Sequence, residues 1–112
     1  MNDKEVFDFI QKIYAELCIE ENLGGDNPTE DILRVDLLKP LLIKVETKNG
    51  FMSFVSDLIY FYPKDERSIC ICIDNIDVFF EKLDNIIDID FEVVDYGRYL
   101  KAKQEAREFC IY

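Results

Sequence analysis

Apolar and polar residues alternate from Leu41 to Tyr62 around an Asn49-Gly50 pair, a pattern that predicts a β-hairpin. A two-residue type I′ turn needs positive φ at both central positions, and Asn-Gly meets that need readily. Counting outward from such a turn pairs Lys48 with Phe51, Thr47 with Met52, Glu46 with Ser53, Val45 with Phe54, Ile43 with Ser56 and Leu41 with Leu58. One face is then apolar: Leu41, Ile43, Val45, Met52, Phe54 and Leu58, running on into Tyr60 and Tyr62. The other carries Lys44, Glu46, Lys48, Ser53 and Asp57, as in an antiparallel sheet covered on one side. This polar face also holds Leu42, Phe51, Val55, Ile59 and Phe61, so a helix or a partner is expected over part of it.

Upstream, Val6, Ile10, Ile13 and Leu17 recur at helical spacing, with Phe7 and Tyr14 beside them, and predict a helix over about residues 3–21. Gly24-Gly25 ends it. Asn27-Pro28-Thr29-Glu30 supplies a cap, a proline at the first helical position and an acid at the third, and so opens a second, short helix over residues 28–39. Leu33, Val35 and Leu37 also alternate, so the same stretch fits a strand.

Downstream of the hairpin, Pro63 to Arg67 reads as a polar connection, and Ser68 to Ile73 as a third strand that completes a meander. Asp74 or Asn75 can cap a helix in which Ile76, Phe79, Phe80 and Leu83 recur at three and four. The period then changes to two: Ile87, Ile89, Phe91 and Val93 alternate with Asp88, Asp90 and Glu92, a strand with one wholly acidic face. Tyr99, Ala102, Ala106, Phe109 and Cys110 suggest a terminal helix flanked by Arg98, Lys101, Lys103 and Arg107. The expected fold class is α+β: one domain over residues 1–112, in the order ααβββαβα. Its four-stranded, mostly antiparallel sheet is a β-meander plus one strand, with the helices packed mainly on one face.

Charge narrows the choice of partners. Twenty-four acids against thirteen bases leave a formal charge of −11, which repels nucleic acid and anionic lipid and favours a basic protein. The acids are clustered: Asp74, Asp77, Glu81, Asp84, Asp88, Asp90, Glu92 and Asp95 share their stretch with Lys82 alone, a net of −7. Glu16 to Asp31 adds six acids and no base. The charged N-terminus and the lack of any apolar run near 18 residues predict a cytoplasmic protein without signal peptide or membrane span, and hence reduced thiols for its four cysteines.

Candidate chemistry is sparse. Without histidine, the usual general base and the base of Ser-His and Cys-His nucleophiles are missing, so the chain reads as a non-enzyme. Cys70 and Cys72 fall on the same side of a strand, with Cys18 and Cys110 far away on predicted helices; this spacing lacks the paired Cys-x2-4-Cys units of structural zinc sites and reads as buried, inert thiols. Asp88, Asp90 and Glu92 project at intervals of about 6.6 Å from one strand face. Three readings compete for them: a divalent-cation site, with magnesium or manganese serving an enzyme; an edge protected from aggregation by charge; and a ladder of charge that imitates a phosphate backbone. No phosphate loop or EF-hand pattern supports the first, and no cofactor is expected.

The sequence thus points to a small acidic inhibitor or neutralising protein that docks on a basic, nucleic-acid-acting protein. Nuclease immunity proteins and anti-CRISPR or other anti-defence proteins share this physical profile, including DNA mimicry. Asp74, Asp77, Glu81, Asp84, Asp88, Asp90, Glu92 and Asp95 would steer the encounter, with Phe51 and Phe61 as exposed apolar anchors. The alternative is a generic acidic interaction or structural module, alone or as a homodimer, whose charge serves solubility.

Overall fold

Asn2 and Glu5 close a reciprocal cap at the start of the chain: the Glu5 N–H donates to Asn2 Oδ1 at 2.9 Å, and the Asn2 N–H donates to Glu5 Oε1 at 3.2 Å. From this cap runs α1, Asp3–Tyr14, which turns Val6 and Phe9 into the core. The structure is a computed structural model that describes residues 2–14, 18–22, 33–62 and 67–109. Strands follow at β1 (Cys18–Asn22), β2 (Leu33–Thr47), β3 (Gly50–Tyr62), β4 (Ser68–Ile73), β5 (Ile76–Lys82) and β6 (Ile86–Val93), and α2 (Tyr96–Phe109) ends the described chain.

All six strands join one antiparallel sheet. β2 is its longest member. One edge of β2 pairs with β3, and the other is shared, first by β1 along Leu33–Leu37 and then by β6 along Leu41–Thr47. Beyond β3 lie β4 and β5. The tight 3-10 turn Leu83–Asn85 leads from β5 straight into β6, which lies on the far side of β2, so the sheet curls around its main core. Phe54 of β3 stacks on Phe79 of β5 with centroids 5.0 Å apart, and Phe9 of α1 meets Phe91 of β6 edge-on at 5.9 Å.

The helix-rich order ααβββαβα is overturned: three segments expected to be helical are strands. The first predicted helix extends only to Tyr14, and Cys18–Asn22 is β1. Leu33 to Lys39 belongs to β2, while the Gly24-Gly25 break and the Asn27 cap lie outside the described residues. β2 runs through Pro40 because a bulge accommodates it. Asp36 pairs with Leu58 and Leu41 with Ser56, so residues 37–40 stand against Asp57 alone and interrupt the ladder where proline has no N–H to give.

The third expected helix, Ile76 to Leu83, is β5 followed by the first residue of the 3-10 turn. Asp74 and Asn75 take φ values of 51° and 62°, which turn the chain back in a two-residue hairpin instead of capping a helix. A register shift between Ile71 and Cys72 then inserts one residue into β5. Ile76 and Val78 face inward before it, and Phe79, Glu81 and Leu83 after it. A strand with one bulge therefore mimics a three-and-four repeat.

The hairpin also differs from the expected one, first in its turn, which is centred one residue earlier than Asn49-Gly50, with no positive φ at Lys48 or Asn49. Thr47 pairs with Gly50, leaving Lys48 and Asn49 as the turn, so Val45 opposes Met52 and not Phe54. Thr47 Oγ1 holds this turn by accepting the Asn49 N–H at 3.1 Å and donating to the Gly50 carbonyl at 3.2 Å. Beyond the β2 bulge the faces exchange: Ile59 and Phe61 enter the main core with Val35, Ile69 and Ile71, whereas Leu58, Tyr60 and Tyr62 gather with Cys70 and Cys72 in a second cluster. The helices do not share a face either. α1 packs into the main core, and α2 lies over the opposite side, where Leu42, Ser53 and Val55 point.

Candidate functional site

Strand alternation on β2, β3 and β6 builds one outward face from three rows of three residues. Phe51, Glu46 and Asp88 form the row nearest the hairpin turn, Ser53, Lys44 and Asp90 the next, and Val55, Leu42 and Glu92 the last. The inward alternates Ile43, Val45, Ile89 and Phe91 belong to the main core, which holds the outward set in register. β6 pairs with β2 alone among the described strands, so its carboxylates stand along an edge.

Phe51 is 81% exposed, and Ile87, the extra residue where β6 slips against β2 between Glu46 and Thr47, is 51% exposed. Asp88, Asp90 and Glu92 are all exposed. Lys44 reaches one of them, with its Nζ 3.1 Å from Glu92, but both partners are about half exposed and such a pair contributes little. The last row is roofed by α2. Leu42 is buried there, and a cleft of about 460 Å³ opens between this row and the helix, lined by Phe54 and Val55 on the strand side and by Arg98, Lys101 and Ala102 on the helix side.

Several of the predicted partner-binding acids have other employment. Asp74 is ion-paired with Arg107 and with Lys103, the latter at 3.8 Å. Asp95 caps α2 by accepting the Arg98 N–H at 2.8 Å. Glu81 accepts from Asn85 at 3.0 Å and from the Lys82 N–H at 2.8 Å, and these two bonds hold its carboxyl below the usual range. Asp77 accepts from the Cys72 thiol at 3.2 Å. Asp84 is exposed on the 3-10 turn just before β6. Phe61 is no surface anchor: the exchange of faces at the β2 bulge buries it to 9% exposure.

The acids therefore do not form one continuous sheet of potential. What the structure brings together is Asp88, Asp90 and Glu92 with Glu46 and Phe51; the Glu16 to Asp31 block lies in segments or side chains outside the described residues. Glu46 was overlooked as a partner of the β6 column because no sequence signal paired β2 with β6. A second cluster went unread: Cys70, Cys72 and Asp77 bring their ligand atoms within 4.8 Å of one another. Burial pushes both thiols above their ordinary range, and Asp77 adds to the shift.

No helix among the described residues is long and apolar enough to cross a membrane. Compared with protein-family models, with curated proteins and with solved structures, the chain matches none.

Proposed function

We propose that this chain is a non-catalytic binding protein of the inhibitor type, which seats its β6 edge on the basic surface of a nucleic-acid-acting protein and blocks the path of the nucleic acid. The observation that carries this reading is the row Phe51, Glu46 and Asp88, which sets an 81% exposed aromatic ring beside the carboxylate column of Asp88, Asp90 and Glu92. Aromatic anchors supply affinity at protein interfaces, while like-signed charge around them raises the encounter rate with an oppositely charged target. Carboxylates on alternate strand residues stand about 6.6 Å apart, a step close to that between successive phosphates, and the arrangement suits a groove that holds a nucleic-acid strand. The reading places the protein in the cytoplasm, where free thiols such as Cys70 and Cys72 persist.

A homodimer built by pairing two β6 edges is disfavoured on the same geometry, because it would bring two acidic columns together. The test is capture from a lysate at low salt, run side by side with the Asp88→Lys, Asp90→Lys, Glu92→Lys triple variant. Support is a basic nucleic-acid-acting protein that the wild-type chain captures and inhibits and the folded triple variant does not. Equal capture by both chains, or capture without inhibition, overturns the reading.

A further inference from the structure

The β4–β5 hairpin carries a cluster that the docking face does not use. Cys70 and Cys72 lie two residues apart on β4 and so point to the same side, and Asp77 stands directly across from Cys72 on β5. The ladder shift between Ile71 and Cys72 falls beside this pair, the kind of place where bulges re-aim a side chain. Both thiols are buried, at 3% and 1% exposure, next to Leu58, Tyr60 and Tyr62, whereas Asp77 is exposed.

The distances match a coordination sphere. A tetrahedral ion with metal–sulfur bonds of about 2.3 Å holds two sulfurs about 3.8 Å apart. Cys70 Sγ and Cys72 Sγ are 3.7 Å apart. A carboxylate oxygen bound at about 2.1 Å would stand about 3.6 Å from each sulfur. Asp77 Oδ1 is 3.2 Å from Cys72 Sγ, and all three ligand atoms fall within 4.8 Å of one another, so a swing of the exposed Asp77 carboxylate by about 1 Å toward Cys70 completes the set. Inert core thiols behave as small hydrophobes and need no carboxylate, yet here an exposed one is turned onto them.

We infer that Cys70, Cys72 and Asp77 bind a thiophilic divalent ion of the zinc class, with three protein ligands and a fourth position open to solvent on the Asp77 side. Two sulfurs and one oxygen suit a borderline-soft ion and exclude magnesium and calcium, which take oxygen ligands. The two thiol protons leave to solvent as the ion enters, and the apolar shell of Leu58, Tyr60 and Tyr62 shields the sulfur side. The site ties β4 to β5 across the turn and stands apart from the β6 column.

Cobalt(II) is the probe, titrated into the full chain under a non-thiol reductant and followed by visible absorption, with zinc added afterwards. The expected result is one equivalent per chain, with a thiolate-ligated tetrahedral spectrum that zinc bleaches. A Cys18→Ser, Cys110→Ser chain keeps the spectrum, and a Cys70→Ser, Cys72→Ser chain loses it. Asp77→Asn alters only an exposed side chain, so it tests the site even if the double serine variant fails to fold; it is expected to weaken cobalt binding about tenfold or more. A folded wild-type chain that gives no such spectrum, or one that Asp77→Asn leaves unchanged in shape and affinity, overturns the inference.

Discussion

Tyr99 donates its phenolic hydrogen to Asp57 Oδ2 across 2.5 Å, joining the first turns of α2 to the middle of β3. The same carboxylate accepts the Asp74 N–H at 3.1 Å, and Asp74 in turn holds Arg107 near the other end of the helix. One buried-edge network thus fixes α2 over the outer face at two points, and with it the cleft beside the acidic column. Tyr99→Phe removes the first point while keeping the ring. A hydrogen bond to a charged acceptor is worth about 1.5–3 kcal/mol, and the half-buried setting favours the lower end. Urea unfolding should show a loss of about 1.5 kcal/mol in Tyr99→Phe, and an unchanged midpoint would remove the network from the account of how α2 is held.

Alkaline pH tests the same bond. Burial, followed by the hydrogen bond to Asp57 and the charges of Asp57 and Asp74, raises the Tyr99 hydroxyl above its ordinary value of about 10. A folded state that keeps its proton longer than the unfolded chain gains stability below that ordinary value and loses it as pH climbs toward the raised one. Wild-type stability should therefore fall more steeply above about pH 10 than that of Tyr99→Phe, read from denaturant midpoints across the range. Parallel curves for the two proteins would contradict this.

Phe51 and Ile43 separate binding from folding. Ile43 is wholly buried in the main core, and Ile43→Ala should cost about 2–5 kcal/mol. Phe51 stands in solvent, and Phe51→Ala should stay within about 0.5 kcal/mol of wild type while weakening partner capture. Thermal melts measure the first contrast. A strongly destabilised Phe51→Ala chain would mean that the ring packs on the fold and is no anchor.

The Asp74-Asn75 turn makes its own prediction. At φ 62°, Asn75 sits where a Cβ costs about 1 kcal/mol, unless a short polar side chain offsets it. Asn75→Ala should therefore destabilise by about 1 kcal/mol and Asn75→Gly hardly at all. Equal losses for the two would speak against the left-handed turn.

Ionic strength reads the steering. For the captured partner, the association rate should fall steeply with added salt, and Asp88→Asn with Asp90→Asn should flatten that dependence while altering the dissociation rate little. A salt-independent rate would leave the column with a purely protective role at the sheet edge.

How far the sequence was legible depended on bulges. β6 carries its alternation unbroken from Asp88 to Glu92, and there the acids stand outward and Ile89 and Phe91 inward as the pattern reads. β5 carries one inserted residue, and that was enough to present Ile76, Phe79 and Leu83 as a helical stripe. The Cys70–Cys72–Asp77 cluster was lost with it, since a helix after Ile73 sends Asp77 away from the thiols. A signal was present all the same. Asp74-Asn75 is a pair that tolerates positive φ, and a turn centred on it sets Cys72 opposite Asp77.

Local chemistry, then, was enough to determine the amphipathic first helix around Val6, the presence of a hairpin near Asn49, the lack of any histidine base and the acid column of Asp88, Asp90 and Glu92, because each rests on residues a few positions apart. Tertiary structure decided which column neighbours which, that Phe61 is buried while Phe51 is bare, and that Asp74 and Asp77 bind within the fold. Those outcomes follow from ladder registers and packing between distant elements, and a bulge of one or three residues reverses the facing of everything beyond it without leaving a mark on composition or charge.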